Sequence, residues 1–109
     1  MINSRNKGNV GEREFARLCR EHGYTGARRG QQHSGIEGKD VIGLHGIHIE
    51  VKRVERLNME NALNQSIRDA KEEEIPIVAH RKNRGKWMVT MRAQDWFRLY
   101  GEWMDCAEV

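Results

Sequence analysis

Two acids and a lysine, Asp40, Glu50 and Lys52, fall where a short hairpin would gather them. Two β-rich runs, residues 40–43 and 47–53, flank Leu44-His45-Gly46, which has the length and the glycine of a hairpin loop. In the second run Ile47, Ile49 and Val51 share one face of a strand, and His48, Glu50 and Lys52 share the other. A three-residue loop sets Asp40 opposite Glu50, with their β-carbons about 5 Å apart. Facing carboxylates repel, and a cation between them removes the repulsion. Hard oxygen ligands with open positions suit Mg²⁺ or Mn²⁺. On the same face, the Lys52 ammonium could orient a nucleophilic water or stabilise charge developing on a phosphate. On spacing alone, the alternative is an exposed edge strand with ordinary surface charges.

Asp40 followed by Glu50-Val51-Lys52 resembles the Asp…Glu-x-Lys signature of the PD-(D/E)XK nuclease superfamily. A second Glu-x-Lys, Glu37-Gly38-Lys39, sits among glycines with no alternating strand and no aspartate upstream, so it lacks the context that Glu50 and Lys52 have.

A helix is predicted over residues 4–22, capped by Gly23. Its buried stripe is Phe15, Leu18, Cys19 and His22; Glu12 falls near the edge of that stripe, and Glu14 projects from the polar side with Arg17 and Glu21. A carboxylate at the edge of a buried face needs a partner, either a metal or a basic residue. Lys7-Gly8, Glu12-Arg13-Glu14, Arg29, Ser34-Gly35, Lys39-Asp40-Val41 and Glu50-Val51-Lys52 together resemble archaeal-type Holliday-junction resolvases over about the first half of the chain. The resemblance implies that Glu12 joins Asp40 and Glu50 in binding metal, and it implies a homodimer. The expected Mg²⁺ ligands are therefore Glu12, Asp40, Glu50 and the carbonyl of Val51, with Mn²⁺ able to substitute.

Residues 24–29 are a weak strand candidate, and residues 30–38 a glycine-rich loop leading into Asp40. A second helix is expected over residues 58–74, with Asn58 as N-cap, Pro76 beyond its end and Lys71-Glu72-Glu73-Glu74 as a solvated terminus. Gln65 lies beside its apolar stripe; some nucleases of the superfamily place a glutamine near the metals, although here Asp69 stands where a tyrosine would accompany it. Strands are expected at 75–80 and 86–91, the latter with Trp87, Val89 and Met91 on one face. A third helix over 93–104 carries Trp96, Phe97, Tyr100, Trp103 and Met104, a stripe suited to core or dimer packing, with stacking on bases as the alternative. The tail 105–109 is expected to fray.

At 109 residues, 38% hydrophobic and 32% charged, the chain has the make-up of one folded domain, residues 1–109, with no apolar run of membrane-spanning length. The polar start is not a secretory signal, and Cys19 and Cys106 read as free thiols, so a cytoplasmic setting is expected, in a prokaryotic or phage-infected cell. The net charge of +3 is concentrated at strand ends and loops. That favours a polyanion, with Arg28, Arg29, Ser34, Lys39 and Arg53 at DNA. The order of elements gives an α/β fold, a mixed β-sheet flanked by helices that matches a restriction-endonuclease-like core. The expected function is a metal-dependent, structure-specific DNA endonuclease, with four-way junctions as substrate. A nuclease of the same superfamily acting on flaps, overhangs or duplex is the nearest alternative, and a non-catalytic nucleic-acid-binding module is another.

Overall fold

The computed structural model describes residues 4–30 and 39–107; Ser34 and His33 lie outside the described residues. The elements run α1 (Ser4–Glu21), β1 (Arg28–Arg29), β2 (Val41–Ile42), β3 (Ile47–Arg53), α2 (Met59–Asp69), β4 (Ile75–Arg81), β5 (Met88–Thr90) and α3 (Ala93–Ala107). They build one five-stranded mixed sheet in the order β1-β2-β3-β4-β5, in which only β3 and β4 run parallel. This is the expected α/β, restriction-endonuclease-like arrangement. Among the described residues no helix is long and apolar enough to cross a membrane.

The alternation of β3 decides where the helices go. Ile49 and Val51 enter the main core with Phe15, Ala16 and Cys19 of α1 and with Ile75, Ile77 and Ala79 of β4. His48, Glu50 and Lys52 turn the other way, toward α2, whose buried residues are Ala62 and Ser66. Ser66 Oγ donates to the Ile77 carbonyl at 2.9 Å, tying helix to sheet. β4 is buried at five consecutive positions, as a strand covered on both faces must be. β3 is thus a central strand under two helices and not an exposed edge.

Gly23, at φ +100°, ends α1: the Gly23 N–H bonds the Arg20 carbonyl and the Tyr24 N–H the Cys19 carbonyl, the paired bonds of a Schellman cap. Asn58 caps α2 by accepting from the Asn61 N–H at 3.1 Å. That helix stops at Asp69 instead of reaching 74. The Lys71 N–H is taken by the Glu74 carboxylate at 2.9 Å, and Glu74 is itself buried against Lys39, which pulls the chain out of helical geometry and into a turn. The expected solvated end is therefore wrong at Glu74. The weak strand at 24–29 reduces to Arg28–Arg29. On the last hairpin Trp87 and Met91 pack against the core, but Val89 is half exposed. α3 continues through Ala107, so residues 105–107 are helical and not frayed.

Candidate active site

The β2–β3 register pairs Val41 with Ile49, as a three-residue loop requires, and the Asp40 N–H bonds the Ile49 carbonyl at 2.9 Å, so Asp40 stands at the edge of β3 between Ile49 and Val51. The ladder ends there. Asp40 Oδ2 accepts from the Val51 N–H at 2.8 Å, so a side-chain carboxylate takes the place of the next backbone acceptor. A strand residue's N–H and C=O point to the same edge, so the Val51 carbonyl faces this position too.

Glu12 reaches the same corner from α1, with its side chain 12% exposed. Burial pushes its carboxyl above the usual carboxylate range; the Asp40 charge adds to this, while Arg29, bonded at 2.9 Å, and the Lys52 ammonium oppose it. Glu12 therefore lies within reach of the charges of both Asp40 and Lys52. Two acids in one partly buried corner fit a divalent cation, which would relieve both their repulsion and their desolvation. Arg29 also donates to Asn9 Oδ1 at 2.8 Å, so β1 is fastened to α1 beside the carboxylates.

Glu50 is 1% exposed and His48 0%, and His48 Nε2 lies 3.0 Å from Glu50 Oε1. The face that carries these residues is roofed by α2, which excludes the alternative of an exposed edge strand. Lys52 opens onto a shallow cavity lined by Asn58, Asn61 and Gln65 of the α2 N-terminal half and by Arg56, so Gln65 does share a surface with the proposed catalytic lysine.

Three of the four cations expected at DNA have carboxylate partners within the chain. Arg29 holds Glu12, Lys39 pairs with Glu74, and Arg53 Nε lies 3.2 Å from Glu14. Arg28 is exposed. Glu14 does not project freely from α1: Arg53 and Arg81, side by side in the parallel β3–β4 register, both converge on its Oε1. The helix pattern expected Glu14 to project from the polar side with Arg17 and Glu21; instead it is partly buried against Arg53, which shares the α1-facing side of β3 with Val51, and against Arg81 beside it.

Three further residues, His48, Asp69 and Glu74, were passed over. His48 makes a His-x-Glu pair with Glu50 on one strand face, a signal readable in the sequence, while Asp69 and Glu74 are brought near by the α2 turn. One oxygen of Asp69 and ligand atoms of His48 and Glu50 all lie within 4.8 Å of one another.

Over residues 3–108 the chain matches the family described as phage putative PDDEXK endonuclease. No curated protein and no solved structure matches it.

Proposed function

The chain belongs to this family of phage PDDEXK endonucleases, and on that premise we propose that residues 1–109 form a single nuclease domain that hydrolyses phosphodiester bonds in branched DNA, four-way junctions above all. The approach of Glu12 to Asp40 and Lys52, with the Asp40 carboxylate bonded to the Val51 amide, carries the proposal. Glu12, Asp40, Glu50 and the Val51 carbonyl would hold Mg²⁺, and Mn²⁺ would substitute. When bound, the metal supplies Lewis-acid activation of a water and neutralises charge at the scissile phosphate. The chain's own part is positional. The Val51 N–H fixes the Asp40 carboxylate, Arg29 fixes Glu12, and Lys52 directs its ammonium toward the attacking water or the departing oxygen. Arg28, Arg29, Ser34, Lys39 and Arg53 would meet the DNA backbone, the paired ones among them with the N–H donors that their carboxylate partners leave over. The protein would work in the cytoplasm of a prokaryotic or phage-infected cell.

Resolving a junction needs two nicks related by two-fold symmetry, and each chain carries one such site, so a homodimer is proposed. α3 supports that arrangement. Trp96 is 50% exposed, Phe97 63% and Trp103 64%, while the helix residue that is buried is Asp95, held by Arg92 at 2.8 Å. Apolar side out and acid in is the pattern of a helix awaiting a partner. With four aromatics of 150–250 Å² each, roughly half exposed, two such faces bury about 600–1,000 Å² through these side chains alone, the apolar centre of an interface that the rest of α3 would have to complete.

Four-way, flap, splayed and linear DNA should be compared with and without Mg²⁺, with nicks mapped on end-labelled strands. Symmetrical nicks in opposing strands of the junction are expected, and Asp40→Asn should remove cleavage while leaving the gel shift. Unpaired nicks on every substrate would favour the general-nuclease alternative. A chain that binds but never cuts would leave only the non-catalytic module.

A further inference from the structure

We propose that His48, Glu50 and Asp69 form a second cation site, one with a nitrogen ligand, which takes a transition ion of the Mn²⁺ or Zn²⁺ class in preference to Mg²⁺. It shares only Glu50 with the site proposed above and goes beyond that reading, since it stands or falls on nitrogen ligation whatever the chain cuts.

The geometry comes first. His48 Nε2 and Glu50 Oε1 stand 3.0 Å apart. Two ligand atoms about 2.1 Å from one ion and at right angles are also about 3.0 Å apart. Asp69 brings a carboxylate oxygen within 4.8 Å of both, and it is exposed, so the site opens to solvent at the end of α2 while its other two ligands are buried.

An independent observation concerns the other ring nitrogen. His48 is wholly buried, yet its Nδ1 has no hydrogen-bond partner; the nearest carboxylate oxygen, Glu74 Oε1, is 3.9 Å away. A buried nitrogen left without a partner is costly. Metal-binding histidines characteristically direct the second ring nitrogen at a carboxylate, which fixes the tautomer with the proton on that side. Glu74 stands where such a carboxylate belongs. Lys39 and the Lys71 N–H already hold it in place. Ligation at Nε2 would leave the proton on Nδ1, facing Glu74, and an approach of about 1 Å would close the bond. Lys39-Glu74-His48 then reads as a chain of supports running from the residue before Asp40 to the ligand. An imidazole in the donor set disfavours Mg²⁺, which prefers oxygen, and suits Mn²⁺ or Zn²⁺.

Mn²⁺ is the probe, and pulsed electron paramagnetic resonance is the readout, because a directly bound imidazole nitrogen gives a coupling that oxygen ligands do not. Metal-stripped full-length chain saturated with Mn²⁺ should show nitrogen coupling. The coupling should persist in Asp40→Asn, which affects only the oxygen site. It should vanish in His48→Gln. Because His48 is buried and its variant could misfold, the exposed Asp69→Asn is the second arm, expected to weaken retention of the nitrogen-bound ion at least about tenfold. No nitrogen coupling in the unsubstituted protein overturns the site even if Mg²⁺-dependent cleavage is intact. Coupling unchanged in both His48→Gln and Asp69→Asn assigns it to another histidine and overturns the proposal equally.

Discussion

Glu12 and Glu14 are two residues apart on one helix, and their surroundings give them different work. Glu12 shares its corner with Asp40 and Lys52, whereas Glu14 neutralises two arginines that neighbouring parallel strands force side by side. Glu12→Gln should therefore lower the cleavage rate at least about a hundredfold with little change in stability. Glu14→Gln should leave the rate near normal and cost about 1 kcal/mol, since its pairs are partly solvated; single-turnover rates and urea midpoints measure the two. Half of this contrast was legible in the sequence. Helical spacing located Glu12 at the stripe, but nothing local to Glu14 announces Arg53 and Arg81, which meet it only once β3 and β4 are in register. Glu74 teaches the same lesson. Burial pushes its carboxyl up, but Lys39, the Lys71 N–H and His48 together outweigh burial and hold it below the ordinary carboxylate range. A carboxyl that ionises more readily folded than unfolded contributes stability that is full above the unfolded value and lost as pH falls through the folded one. Glu74→Gln should thus cost about 1–3 kcal/mol at neutral pH, and the gap to the unsubstituted protein should close below pH 4.5, the ordinary value for the group. Denaturation at neutral and acid pH tests the sign: a gap that widens in acid would be fatal to it.

The β2–β3 hairpin is the element on which the proposed catalytic geometry hangs, and its alternation made it the most readable part of the chain. β3 spans Ile47–Arg53 as expected, because a strand with one apolar and one polar face declares its register locally. Gly43, where the hairpin leaves β2, adopts φ +107°, and a β-carbon there would stand 2.5 Å from the Gly26 carbonyl oxygen. Gly43→Ala should therefore cost about 2 kcal/mol or more, from left-handed strain and the backbone clash together. Cleavage should fall with stability, because the turn sets Asp40 against Val51; a urea midpoint matching the unsubstituted chain would contradict this. The ends of α2 and α3 were harder to read for opposite reasons. α2 ends early because Glu74 is drawn to Lys39, a partner 35 residues away in sequence. α3 runs on through a tail whose acids and small residues look unstructured when taken alone.

The protein is 53 Å long and 29 by 28 Å across, and among the described residues α3 makes no more than marginal contact with any other element. A helix of this length standing alone in water is marginal, so its aromatic face is the place where a second copy would stabilise the fold. Amphipathic spacing revealed that face in the sequence but could not say whether a core or another chain covers it. The double variant Trp96→Ser, Trp103→Ser should shift the chain to monomer in sedimentation while the sheet, remote from it, keeps its circular dichroism. Paired nicks should be lost and single nicks retained; a dimer that survives the double variant would exclude α3 as the interface. Were α3 to pair two copies as proposed, the output would also depend on dosage. Below the dissociation constant of the pair, single incisions rise in proportion to the amount of protein, but coincident incisions rise with its square. A modest increase in expression would then change which reaction dominates, from isolated nicks that a ligase reseals to breaks that separate two duplexes, with no effector other than the concentration of the chain.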